Sequence, residues 1–105
     1  MPYLHHPRTA EIDLIPVLHA LADPVRLGIV TALADRTELP CGELDFGISK
    51  ASMSHHFRVL REAGVTTTRQ DGKHRLIALR AADLEQRFPG LIGPLLDAAR
   101  PSTVG

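Results

Sequence analysis

A helix bounded at both ends and followed at once by a hairpin is written into residues 49 to 79. Ser49 is a capping residue, and Gly64 is the type that reaches the left-handed backbone at a helix end with least cost. Between them Met53, Phe57 and Leu60 recur at spacings of four and three, so the pattern predicts a helix running to Ala63 with one buried stripe. After Gly64 the period changes. Thr66, Thr67 and Thr68 favour a strand, Asp71-Gly72 is a two-residue hairpin signal, and Leu76 to Leu79 supply the return. Pairing across that turn places Gln70 opposite Lys73, Arg69 opposite His74 and Thr68 opposite Arg75.

The remaining chain reads as helical. Ile12, Ile15, Leu18, His19 and Ala22 form one face of a first helix, with Pro16 in its first turn. Asp23-Pro24 starts a second helix, to about Ala34, that buries Leu27, Val30 and Leu33 or their neighbours. Cys41 to Phe46 has room for a short third helix ended by Gly47. Asp83 is positioned to cap a final helical region rich in Leu and Ile, which Phe88-Pro89-Gly90 breaks. The expected organisation is a flexible tail over residues 1–8, one domain over 9–100 and a second tail over 101–105. The expected class is mainly α with a small β-hairpin, about five helices plus a two-stranded wing.

Charge makes this arrangement informative. The chain of 105 residues has twelve basic and twelve acidic side chains, a balance that by itself argues against a nucleic-acid partner. From Lys50 to Arg80, however, seven basic residues meet only Glu62 and Asp71. The acids are gathered elsewhere, and this asymmetry is a partner signal. An apolar content of 44% excludes a disordered chain, and the single Cys41 excludes an internal disulfide. Four aromatics and no Trp argue against a stacking platform for single strands. The first eight residues lack the basic and apolar regions of a signal peptide, and no apolar run is long enough to span a bilayer, so a cytoplasmic protein with no membrane partner is expected. At this length burial is modest, and pairing with a second copy would help stability.

Two short helices joined by a Gly-containing turn, the second longer and basic, form a helix-turn-helix. The stripe of the long helix leaves Lys50, Ser54, His55, Arg58 and Arg61 outward. A helix fits the major groove, and these side chains supply donors to bases and phosphates. The basic hairpin behind it serves as a wing. The predicted DNA-binding set is Ser49, Lys50, Ser52, Ser54, His55, Arg58, Arg61, Arg69, Lys73 and Arg75. His55 and His56 are adjacent on a helix and diverge by about 100 degrees, which excludes a shared metal and any enzymatic reading built on them. His56 falls beside the Met53 and Leu60 row and is expected to anchor the helix through a hydrogen bond.

The run Ala20-Leu-Ala-Asp-Pro-Val-Arg-Leu-Gly-Ile-Val30 and the run from Ser49 to Gly64, Ser-Lys-Ala-Ser-Met-Ser-His-His-Phe-Arg-Val-Leu-Arg-Glu-Ala-Gly, resemble the arsenic-repressor (ArsR) family of winged-helix regulators. The resemblance covers about Ala20 to Leu79. It implies a homodimer paired through its first and last helices, bound to an imperfect palindrome in a promoter and responsive to a metal ion or another effector. It assigns recognition to the helix from Lys50 to Ala63 and the wing to Arg69 to Arg75.

Two features of the family pattern are missing. Its arsenic and cadmium sensors carry a Cys-x-Cys pair where this chain reads Glu38-Leu39-Pro40-Cys41-Gly42-Glu43-Leu44, and its zinc sensors use His on the last helix, whereas no His lies beyond His74. A thiolate trap is therefore not expected, and Cys41 reads as a small buried residue. His5, His6 and His19 offer an alternative imidazole set suited to zinc or nickel, or to copper. The competing readings are a winged-helix protein-interaction subunit completed by a companion chain, and a metal-binding protein.

Overall fold

The computed structural model describes residues 5–100. A 3-10 turn at Thr9–Glu11 leads into α1 (Leu14–Leu21) and α2 (Pro24–Leu33). A short β1 (Leu39–Pro40) and a 3-10 turn at Cys41–Glu43 precede α3 (Lys50–Ala63). The hairpin β2 (Thr66–Asp71) and β3 (His74–Leu79) follows, then α4 (Ala81–Arg87) and α5 (Ile92–Ala99). The five helices enclose a core of Ile12, Val17, Ile29, Val30, Leu33, Leu60, Val65, Ile77 and Leu84, each 1% exposed or less.

The long helix forms as its punctuation requires. Ser49 Oγ accepts the Ser52 N–H at 3.1 Å, and Gly64 closes the helix at φ +87°. A side chain at Gly64 is excluded twice over: by that φ, and because a Cβ there would stand 2.6 Å from Ile12 Cγ1. Asp23 caps α2, its Oδ2 accepting the Val25 and Arg26 N–H groups at 2.9 and 3.1 Å.

Five expectations are corrected. The first helix turns its other face inward: Val17, Ala20 and Leu21 are buried, whereas Ile15, Leu18 and His19 are exposed. The predicted stripe began at Ile12, but Ile12 precedes the helix and packs on Gly64 from extended backbone, so helical spacing does not relate it to Ile15. The third helix is only the 3-10 turn at Cys41–Glu43, because Pro40 and Gly42 leave too few helix-forming residues. The hairpin gains β1 as a third strand, in the antiparallel order β1-β3-β2. Its turn is Gly72-Lys73, so Asp71 pairs with His74, Gln70 with Arg75, Arg69 with Leu76 and Thr68 with Ile77. Gly72, at φ +59°, opens the two-residue loop, and Asp71 stays in the ladder. The shift of two residues preserves which face each side chain occupies. Finally, Arg80 rather than Asp83 stands at the N-cap of α4.

Asp83 is instead a clasp. Its carboxylate accepts Thr9 Oγ1–H at 2.8 Å and Arg80 Nε–H at 2.9 Å, and these hydrogen bonds, Thr9's first, hold its pKa below the ordinary value. Arg80 Nη1 also donates to Pro7 O at 2.8 Å, and His6 Nε2 accepts the Thr68 N–H at 3.0 Å. His6 and Pro7, within the expected tail, are thus fastened to the sheet and α4. Residues 1–4 and the expected tail 101–105 lie outside the described residues. The break at Phe88-Pro89-Gly90 separates α4 from α5 as expected, and α5 packs on α2 through buried Ile92 and Leu96.

Candidate nucleic-acid interface

The orientation of α3 is set from beneath. Arg26, 8% exposed, donates from Nε to Ala20 O at 2.7 Å, from Nη2 to His19 O at 3.4 Å, and from Nη1 to His56 Nδ1 at 3.1 Å. A guanidinium only donates, so His56 accepts at Nδ1. His56 therefore anchors the helix as its position beside Met53 and Leu60 suggests. Asp23 completes the group, its pKa lowered by the Arg26 backbone N–H and by the nearby Arg26 charge. One cluster thus joins the end of α1, the start of α2 and the middle of α3. The sequence carries a signal for it: Arg26 is a cation in the first turn of a helix, where the helix dipole disfavours it unless a partner is present.

With its buried side fixed, α3 exposes Lys50, Ser52, Ser54, His55 and Arg58. Arg58 Nη2 approaches His55 Nδ1 at 3.5 Å along this face. Lys50 stands in the first turn, where the helix end favours an anion. Lys73, His74 and Arg75 are exposed at the hairpin tip. Arg75 lies opposite Gln70, on the same sheet face as Thr68 and Ile77, and borders a cavity with Lys50 and Ser54 of α3. Helix and hairpin thus meet at this cavity, with Lys50 on one side and Arg75 on the other.

Other residues of the predicted set have further commitments. The Ser49 hydroxyl is used in the cap, where it accepts from Ser52 N and donates to Ser52 Oγ. Arg69 occupies the opposite sheet face and binds Glu38 through two hydrogen bonds, of 2.6 and 3.1 Å. That pairing lowers the pKa of Glu38 and raises that of Arg69, so much of the positive charge of Arg69 is already matched. Arg61 is half-buried, with Nε enclosed.

The proposed imidazole set is not gathered into a site. Among the described residues no three His, Cys, Asp or Glu side chains converge as a metal requires. His6 is engaged with the Thr68 N–H, while His5 and His19 are exposed. Cys41 is half-buried, and burial pushes its thiol pKa upward, away from the thiolate a metal binds. No single helix among the described residues is long and apolar enough to cross a membrane.

Comparison with known proteins agrees with this geometry. A family described as a helix-turn-helix domain matches residues 21–69. The HTH-type transcriptional regulator YceK of Bacillus subtilis is 38% identical over 82 residues, covering 75% of this chain and 82% of its own. The crystal structure of the transcriptional repressor BigR from Xylella fastidiosa superimposes with a TM-score of 0.58 at 32% identity, covering 70% of this chain and 84% of BigR. A structure of a possible transcriptional regulator for arsenical resistance gives a TM-score of 0.62 at 30% identity, over 86% of this chain and 88% of that one. This chain belongs to the ArsR family of winged-helix transcriptional regulators. It is a transcriptional regulator with a helix-turn-helix DNA-binding domain, and its relatives are regulators rather than enzymes. Within the ArsR fold, α3 is the helix that follows the helix-turn-helix turn, and β2–β3 is the wing.

Proposed function

We propose that this ArsR-family chain acts as a homodimer on a palindromic promoter site, with α3 in successive major grooves and the β2–β3 tips on the flanking backbone. The observation that carries this reading is that Lys50 and Ser54 of α3 border one cavity with Arg75 of the wing, while His55, Arg58 and Lys73 are exposed on the same two elements. Lys50, Ser54 and His55 read base edges near the start of the helix; Arg58, Lys73 and Arg75 hold phosphates. Pairing of two copies is supported by α1, whose Leu14, Ile15 and Leu18 share one side of the helix and remain exposed, Ile15 at 72%. Two copies present two recognition helices, and the operator then mirrors the protein's two-fold symmetry.

The test is a binding titration of the full chain on the duplex upstream of its own coding sequence against an unrelated duplex of equal length. Two protomers should bind the first more tightly, and Lys50→Ala or His55→Ala should narrow that preference. Equal affinity for both duplexes contradicts the proposal. Zinc, nickel and copper added in turn show whether release depends on a metal.

A further inference from the structure

Between α3, the 3-10 turn at Cys41–Glu43 and the wing lies a cavity of about 460 Å³. This is the size of a small-molecule site. Its apolar walls include Leu44, Ile48, Met53 and Phe57. Phe57 belongs to the predicted buried stripe of α3 but is only half-buried, because the cavity occupies the space beside it.

The polar side of the cavity is incomplete. Arg61 and Thr68 both line it, and both Arg61 Nε and Thr68 Oγ1 are buried without a hydrogen-bond partner among the described residues. Thr68 is only 6% exposed. Leaving such groups unsatisfied is costly, so a site that keeps both is suited to an acceptor from outside. The charge selects the kind of acceptor. Lys50, Arg61 and Arg75 border the cavity against one carboxylate, Asp45, whose Oδ1 already accepts the Gly47 N–H at 2.9 Å.

We propose that this cavity binds a small organic carboxylate with an apolar body, and that its occupation competes with duplex DNA. The carboxylate accepts from Arg61, Arg75 and the Thr68 hydroxyl, and the apolar body lies against Ile48, Met53 and Phe57. A guanidinium matches a carboxylate in a planar fork, whereas apolar walls disfavour a multiply charged, strongly hydrated anion. The competition rests on the DNA reading above: Lys50, Ser54 and Arg75 border the cavity and also belong to the proposed DNA surface. By linkage, whatever factor the ligand imposes on DNA affinity, DNA imposes on the ligand.

Cys41 lines the cavity and is the chain's one cysteine, so its alkylation by iodoacetamide reports occupancy without reference to DNA. The full chain is alkylated in the presence of 1-naphthoate, phenylacetate or octanoate, with the matching neutral amides and inorganic phosphate in parallel. At least one carboxylate should slow alkylation saturably, below about 10 mM, while its amide and phosphate do not. Arg61→Gln should weaken that protection about tenfold. Thr68→Val, which keeps the shape and removes the hydroxyl, should weaken it several-fold and leave DNA affinity unchanged. The protecting carboxylate should lower DNA affinity on the wild-type chain. Absence of protection by all three carboxylates, or equal protection by amide or phosphate, overturns the site. Protection with unchanged DNA affinity overturns the competition. A chain that is protected but binds no duplex leaves the site standing and removes the DNA reading instead.

Discussion

Arg26 connects three helices because its guanidinium reaches two backbone carbonyls of α1 and one ring nitrogen of α3. Replacing it by Met keeps much of the aliphatic stem and removes every donor, leaving Ala20 O and His56 Nδ1 without a partner. Urea unfolding of Arg26→Met should show a loss of about 2–3 kcal/mol. The other residue-level prediction concerns Asp83. A carboxylate whose folded pKa lies below its unfolded value stabilises the fold above that value, and the contribution is lost as pH falls through the depressed folded pKa. Asp83→Asn should therefore be less stable than wild type by a constant margin between about pH 5 and about pH 8. The margin should narrow below the ordinary 3.8 as wild-type Asp83 becomes protonated. Thermal melts across that range check the sign. At this scale the sequence was legible where position on a helix face decides, as with His56, which falls beside Met53 and Leu60 and so turns inward. It was opaque for Arg26, Glu38 and Asp83, whose partners lie 30, 31 and 74 positions away.

Among the elements, those punctuated at both ends were legible. Asp23-Pro24 begins α2, and Ser49 and Gly64 bound α3, because caps and stops act locally. β1 has two residues, too few to show any period, and exists because Leu39 and Pro40 pair with Ile77 and Leu76. The buried face of α1 was misread because that helix is apolar on both sides, leaving tertiary packing to choose between them. Gly64→Ala should destabilise the protein by about 2–4 kcal/mol, since it requires both a left-handed alanine and displacement of Ile12; a shift in the urea midpoint measures it. The wing makes a comparative prediction. Lys73→Ala should weaken binding to every duplex and reduce the salt slope by about one, because Lys73 is exposed at the hairpin tip. Arg69→Ala should reduce it less, because Glu38 already matches that charge. Glu38→Gln should strengthen DNA binding by freeing Arg69. Larger losses from Arg69→Ala than from Lys73→Ala would contradict the assignment of faces.

For the whole molecule, equal numbers of acids and bases conceal a division along the chain, since seven bases between Lys50 and Arg80 meet only two acids. In the proposed reading the exposed bases of α3 and the wing face the duplex, whereas Asp83 and Glu38 are matched locally by Arg80 and Arg69. A second surface, the exposed Leu14, Ile15 and Leu18 of α1, is the face on which the proposed homodimer would pair. Ile15→Glu should convert a dimer to monomers in sedimentation equilibrium without loss of helix content, and should weaken operator binding by removing one half-site contact from each complex. Unchanged mass would place the dimer contact elsewhere. The central claim, that α3 and the wing together form a duplex-binding surface, is tested most directly by the salt dependence of operator affinity for wild type and for the double variant Lys73→Ala, Arg75→Ala. The account predicts log affinity falling linearly with log salt, with a slope shallower by about two in the double variant. Salt-independent binding, or identical slopes for the two proteins, would contradict it.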